Sequence, residues 1–459
     1  MTKRAAATAR TRAVEGLRKV LGSGERAAPL AGALSRGLSA PDQDLLRELL
    51  LGVLRWKRAL DAEIAGACRM PIAKLAPNLL EILEVGLYQL RHLDRVPGYA
   101  AVSEAVDHAR RSGGEGAARL VNGILREILR RPPPQEPRAG DVSALARRFS
   151  HPEFLVERWS ERFGPETTLR VLQADNGTPR LDLLANPRRG SLDSLGNRPE
   201  SRVARDSLRE RLAEEGVVTE PVPGAPLALS VRSGSLNPLR SPLHAQGLFA
   251  VQDVGSQILP LLLPPGGLLI DLAAAPGGKS LSALAHARMS RTAAVDRSLP
   301  RLRLLVQNAR RLGYSEARAV AGDFAAPPLP EGRFDRVLLD APCSGTGTLR
   351  KNPEIRYRVT EEAVERLAGA QEAALESALR LLAPGGFLLY STCSLEWEEN
   401  ERVVERVVER MRERVPGVRP ASVPIDSPVP ASPTRAGGVR LFPDETTDGF
   451  TAHLLRRTE

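Results

Sequence analysis

LLIDLAAAPGGKS, residues 268–280, decides the fold. Leu268–Leu272 is an apolar run interrupted by Asp271, as in a buried strand that stops at the edge of a sheet. Ala273–Ala275 are small, Pro276 fixes a turn, and Gly277 and Gly278 let a ligand approach the backbone closely. A helical pattern follows over 279–288. Strand, glycine turn and helix together place a ligand at the carboxyl edge of a parallel sheet, beside a helix N-terminus. The glycine spacing fits neither GxGxxG nor GxxxxGK[ST]. Lys279-Ser280 only echoes the second, so phosphate binding is the weaker reading.

Working outward, the same alternation recurs. Thr292–Asp296, Ala317–Ala321, Arg336–Asp340 and Phe387–Ser391 read as strands, and 299–312, 361–382 and 397–413 as helices. This is the signature of a parallel sheet wrapped by helices. Asp271, Asp296, Asp323 and Asp340 stand at or just past four successive strand ends. A single Asp there commonly caps a turn. Four in succession, around a loop of small residues, instead suit ribose hydroxyls and a cationic group, as in S-adenosylmethionine.

The chain has three cysteines, too few for a disulfide framework and without a CxxC zinc spacing, which fits a reducing cytoplasm. Cys343 and Cys393 follow adjacent strand ends, in DAPCSGTG and STCSLEWEENE. Each precedes a serine and a turn, a position expected to favour thiolate over thiol. Cys68, on an amphipathic helix, reads as core. Two thiols beside a methyl-donor site suit methylation of an unactivated pyrimidine carbon. A thiolate adding to cytosine C6 makes C5 nucleophilic, and C5 attacks the sulfonium methyl; a base then removes the C5 proton and the thiolate is expelled. Asp340 is placed to hydrogen-bond the N3/N4 edge of the base, which has to leave its stack to reach the pocket.

Elsewhere the chain is helical over residues 1–131, in segments such as 45–64, 75–93 and 117–131, and RPPPQEPRAGD (131–141) reads as a linker. Residues 142–245 are mixed: a helix after Pro152, a strand in LDLLANP, and a polar, Arg-rich stretch at 187–210. Net charge is +10. Residues 1–140 carry 23 Lys+Arg against 15 Asp+Glu, whereas residues 141–459 carry 42 against 40. The surplus on the helical third points to a phosphate-binding surface, although 59 Arg against 6 Lys also reflects an Arg-rich composition throughout. No apolar run is long enough to span a membrane.

AAAPGGKS (273–280), DAPCSGTGTLRKNPEIRYR (340–358), STCSLEWEENE (391–401) and DGF (448–450), with SHPEFLVERW (150–159) and GLFAVQDVGSQ (247–257), closely resemble the RNA (cytosine-5)-methyltransferases of the bacterial Sun/Fmu 16S rRNA type. VNGILREILR (121–130) resembles the end of a NusB-like RNA-binding module. The resemblance covers nearly the whole chain. It implies a NusB-like all-α domain (1–135), a small α+β extension (142–245) and a Rossmann-like α/β methyltransferase domain (246–459). It further implies that Ala273, Ala274, Ala275, Pro276, Gly277, Gly278, Lys279, Asp296, Asp323 and Asp340 bind S-adenosylmethionine, that Cys393 is the nucleophile and that Cys343 assists product release. The implied substrate is 16S rRNA at cytosine 967; the cysteine usage fits a cytoplasmic protein, and the sequence leaves the oligomeric state open, with a monomer expected. The sequence departs from the family pattern at Ala273 (often Cys), Asn352 (usually His), Asp444 (usually His) and Thr451. Three alternatives stay open: Cys343 as nucleophile, C5-methylation of another RNA (tRNA or 23S rRNA), and a non-catalytic RNA-binding factor.

Overall fold

The computed structural model describes residues 8–458 other than 133, 190–200, 235, 239 and 415–419, so the middle of the polar 187–210 stretch lies outside the described residues. The chain forms two compact units, residues 1–178 with 349–358, and residues 179–348 with 359–459.

The first unit is all helix: α1 (Ala9–Ser23), α2 (Ala27–Leu34), α3 (Ala40–Ala67), α4 (Pro77–His92), α5 (Gly98–Arg130, bent at Gly114), α6 (Val142–Arg148), α7 (Glu153–Phe163) and α8 (Pro165–Asn176). Helix α3 starts where Ser39 caps the amide of Asp42, with Pro41 inside the first turn. Its apolar face, Leu46, Leu49, Leu50, Val53, Leu54 and Ile64, is fully buried against Leu17, Leu83, Leu87 and Leu125. Cys68 packs at the rim of this core, as its helical context predicts.

The proline run at 131–141 does not divide the units. Helices α6–α8 stay with the helical unit because α6 packs on α3. The segment Leu349–Arg358 also folds there. Arg55 donates to the carbonyl of Arg350 (2.9 Å), Tyr357 to that of Leu54 (2.6 Å) and Arg356 to that of Asp175 (3.0 Å). The mixed 142–245 region is therefore shared between the two units.

In the second unit, β1 (Asp182–Ala185), α9 (Ser201–Glu214), β2 (Val218–Pro221), β3 (Ala228–Ser233), α10 (Pro242–Ala245) and β4 (Phe249–Val251) build a four-stranded antiparallel sheet of order β2-β3-β1-β4. There follow α11 (Val254–Ile258), β5 (Gly266–Asp271), α12 (Gly278–Ala285), β6 (Met289–Asp296), α13 (Leu299–Leu312), β7 (Ala317–Ala321), β8 (Phe334–Asp340), α14 (Glu361–Leu381), β9 (Leu382–Thr392), α15 (Glu401–Arg414), β10 (Pro420–Val423), β11 (Ser432–Pro433), β12 (Val439–Leu441) and β13 (Phe450–Arg457). The small sheet shares a core with α12 and α13 through Leu183, Leu229, Phe249, Leu281, Leu284 and Leu312.

The large sheet runs β11-β12-β13-β9-β8-β5-β6-β7, with β10 also paired to β13. Strands β5–β9 are parallel, as the alternation predicts, but β13 lies antiparallel beside β9, so the sheet is mixed. The expected helix over 397–413 is also interrupted. A short 3-10 turn, Trp397–Glu399, gives way to α15 at Asn400, whose side chain bonds the carbonyls of Ser394 (3.1 Å) and Glu396 (2.7 Å) and accepts from Thr392 Oγ1 (2.7 Å). These bonds hold the backbone off helical geometry.

Candidate functional site

The strand order brings β8 and β9 side by side, with β5 on the other side of β8. Register pairs Asp271 with Leu338 and Asp340 with Ser391, so the loops after β5, β8 and β9 meet at one edge of the sheet.

The loop after β5 is held from beneath. Asp271 is 1% exposed, and its Oδ2 accepts from Ser280 Oγ at 2.6 Å, tying the end of β5 to the first turn of α12. Gly277 has φ +104°, a left-handed conformation strained for any side chain, and a Cβ there would press on Leu305. Burial raises the Asp271 carboxyl to about 6, with Asp340 adding to the rise and Ser280 and Lys279 opposing it. A carboxyl raised in the fold favours the folded state below about pH 3.8 and loses that contribution as pH climbs through about 6. Asp271→Asn removes the titration. Its unfolding free energy relative to wild type is therefore expected to improve by about 1 kcal/mol between pH 5 and 7.5, as read by denaturant titration at the two pH values. An unchanged difference would contradict this.

Lys279 leaves α12 and its Nζ meets Asp340 Oδ2 at 2.6 Å, while Ser391 Oγ donates to Asp340 Oδ1 at 3.0 Å. Burial alone would lower the lysine pKa. The Asp340 carboxylate outweighs it, Asp271 and Cys393 act in the same direction, and the ammonium is held charged. Lys279 also lies over the ring of Phe450, 5.9 Å from its centroid, which brings the DGF segment to the same edge.

The two cysteines meet: Cys343 Sγ and Cys393 Sγ are 3.4 Å apart. The serines that follow them also touch, Ser344 Oγ to Ser394 Oγ at 3.2 Å. The amide of Gly347 donates to the carbonyl of Cys393 (2.9 Å), and that of Gly449 to Gly347 (2.7 Å). A side chain at Gly347 would strike the Gly449 carbonyl at 2.4 Å, so this lacing of three loops requires glycine. Both thiols are half-buried. For Cys343 the expected bias toward thiolate is reversed. The hydrogen bond with Cys393, burial, and the charges of Cys393, Glu399 and Asp340 all push its pKa well above the usual thiol value.

Asp296 is buried at the end of β6, accepting from the Ser298 amide (2.8 Å) and pairing with Arg301 (3.2 Å). Asp323 is exposed and accepts from the Ala325 amide at 2.9 Å. Both thus make the local turn contacts that an acid at a strand end commonly makes.

Residues 260–456 match the family model for 16S rRNA methyltransferase RsmB/F, and residues 7–130 match that of the NusB family. A Synechocystis protein named "Probable ribosomal RNA small subunit methyltransferase B" is 36% identical over 380 residues, 80% of this chain and 81% of its own. The chain belongs to the RsmB/F family. A Bacillus subtilis member with the same name is 31% identical over 432 residues, 92% of each chain. The solved structure of the protein PH0851 superimposes with a TM-score of 0.76 at 25% identity, covering 98% of both chains. The second unit is thus a Rossmann-like, S-adenosylmethionine-dependent methyltransferase domain, and residues 7–130 of the first are NusB-like.

The loop residues fit such a cofactor. Gln252, buried beside Gly278, has neither Nε2 nor Oε1 hydrogen-bonded among the described residues, two polar atoms at the glycine turn that such a ligand could satisfy. Gln252 belongs to GLFAVQDVGSQ, but a glutamine within a short strand-like segment carries no signal of its own. The Lys279–Asp340 pair was equally hidden, since 61 residues separate its members. Among the described residues no helix is long and apolar enough to cross a membrane.

Proposed function

We propose that the protein methylates C5 of a cytosine in 16S rRNA, with cytosine 967 the position its resemblance implies, through a covalent bond between Cys393 and C6. The contact between the two sulfurs at the edge that also carries the glycine loop and Asp340 supports this most strongly. Ala273–Lys279, Asp296, Asp323 and Asp340 would hold S-adenosylmethionine, which supplies an electrophilic methyl group when bound.

The chain's own groups divide the remaining work. Cys393 adds as thiolate to C6, placing electron density on C5. Asp340, held by Lys279 and Ser391, keeps lone pairs free to accept from the N4 amino group of the base, and from N3 once the adduct is protonated there. After methylation the C5 proton must leave and the C6–S bond must break. The C5 proton passes to a base, its bonding pair re-forms the C5–C6 double bond, and the C6–S pair returns to Cys393 as thiolate; Cys343, one sulfur contact away, assists by donating its proton to that departing sulfur. The division of roles between the two thiols follows the resemblance, in which the TC-motif cysteine attacks and the PC-motif cysteine assists release. The first unit, with the NusB-like match and the basic surplus of residues 1–140, supplies RNA-backbone affinity, and the reaction belongs to the cytoplasm.

Bisulfite sequencing of rRNA and tRNA from cells lacking the protein tests this. One 16S cytosine is expected to lose protection and to regain it on complementation. Loss at a tRNA or 23S position would redirect the substrate. No change at any position would favour a non-catalytic RNA-binding role.

A further inference from the structure

Cys343 is flanked by a clamp that the reaction as described does not use. The carbonyl before it, Pro342, accepts from Gln371 Nε2 at 2.9 Å. The amide after it, Ser344, donates to Glu399 Oε1 at 2.8 Å. The two clamping side chains bond each other, Gln371 Nε2 to Glu399 Oε1 at 3.1 Å. Tyr390 closes the group, its hydroxyl donating to the Glu399 carbonyl (2.6 Å) and lying 3.2 Å from Gln371 Oε1. Ser344 Oγ donates to the other Glu399 oxygen, and that same hydroxyl touches Ser394, the neighbour of Cys393.

Glu399, Gln371 and Tyr390 have essentially no exposure: 0%, 1% and 0%. A carboxylate buried this deeply is costly unless its bonds perform a task. Here those bonds reach the Ser344 amide and hydroxyl, Gln371, which holds the Pro342 carbonyl, and the Ser394 side chain, so most of them bracket Cys343. Glu399 comes from the 3-10 turn after β9, Gln371 from α14 and Tyr390 from β9 itself, so three elements fix one loop.

We infer that Glu399, through Gln371 and the Ser344 amide, is a positioning residue that holds Cys343 against Cys393 for the release step. This rests on the proposed division of roles between the two thiols. Without the clamp Cys393 still attacks, because its own loop is held by Thr346 and Gly347: Thr346 Oγ1 accepts from the Leu395 amide at 3.0 Å, and Gly347 donates to the Cys393 carbonyl. Cys343, no longer held at the Ser344 amide and with Gln371 left without its carboxylate partner, drifts from the adduct, and the C6–S bond persists.

The test uses the full chain with Glu399→Ala, Glu399→Gln and Cys343→Ala, an rRNA fragment containing ordinary cytosine, and the same fragment with 5-fluorocytosine. Glu399→Ala is expected to form the fluorinated adduct within about threefold of the wild-type rate. On ordinary cytosine its turnover is expected to fall at least about tenfold, with covalent RNA complex accumulating on gels. Glu399→Gln keeps an acceptor for the Ser344 amide and is expected to recover most turnover, which a loss through misfolding would not. Parallel loss of adduct formation and turnover in Glu399→Ala, or wild-type turnover, would overturn the positioning role while Cys343→Ala still trapped complex. If Cys343→Ala trapped none, the division of roles itself would fail, and the inference with it.

Discussion

Cys393→Ala is expected to lose methyl transfer by at least about a thousandfold, roughly 4 kcal/mol of barrier, and to form no covalent complex with 5-fluorocytosine RNA. The size follows from the chemistry of the ring. C5 of cytosine is too weak a nucleophile to take a methyl group unaided, and only the bond to C6 changes that. The substitution removes one half-buried sulfur at the sheet edge. The lacing of its loop runs through the Cys393 carbonyl and the side chains of Thr346 and Ser394, all of which remain. The thermal midpoint should therefore move little, and S-adenosylmethionine should still bind. A variant that retained even a tenth of wild-type turnover would remove Cys393 from the centre of the reaction.

Cys343→Ala is expected to behave differently. Attack proceeds, because Cys393 keeps its place, but release slows by about a hundredfold or more, the range of a lost acid–base group. A covalent RNA complex should then accumulate with ordinary cytosine, without fluorine, and survive denaturing electrophoresis. The contact of 3.4 Å between the sulfurs gives the reason. The group that helps undo the bond must lie within reach of the one that made it. Equal loss of adduct in both variants would contradict separate roles.

Much of this arrangement is written in local sequence. Strands β5 to β9 are apolar runs ending at acids or small polar residues, and the intervening helices carry the matching periodicity. The cysteines could be placed because each follows such a run directly. What local pattern cannot carry is pairing at a distance. Strands β10–β12 are short and lie in a Pro-rich segment, and they exist only through antiparallel partners. The polar run WEENE reads as a solvated helix face, yet Glu399 is fully buried, because Ser344 and Gln371 supply its hydrogen bonds from far along the chain. Likewise the tie between residues 349–358 and α3 spans some 300 residues, beyond the reach of any local pattern.

Peptide mapping of the trapped complex tests the account most directly. Trypsin separates the two thiols cleanly, with Cys343 in residues 337–350 and Cys393 in residues 381–402. After reaction with 5-fluorocytosine RNA and nuclease trimming, mass spectrometry is expected to find the methylated, fluorinated nucleotide on the 381–402 peptide alone. The same mass on the 337–350 peptide would assign the attack to Cys343 and contradict the account.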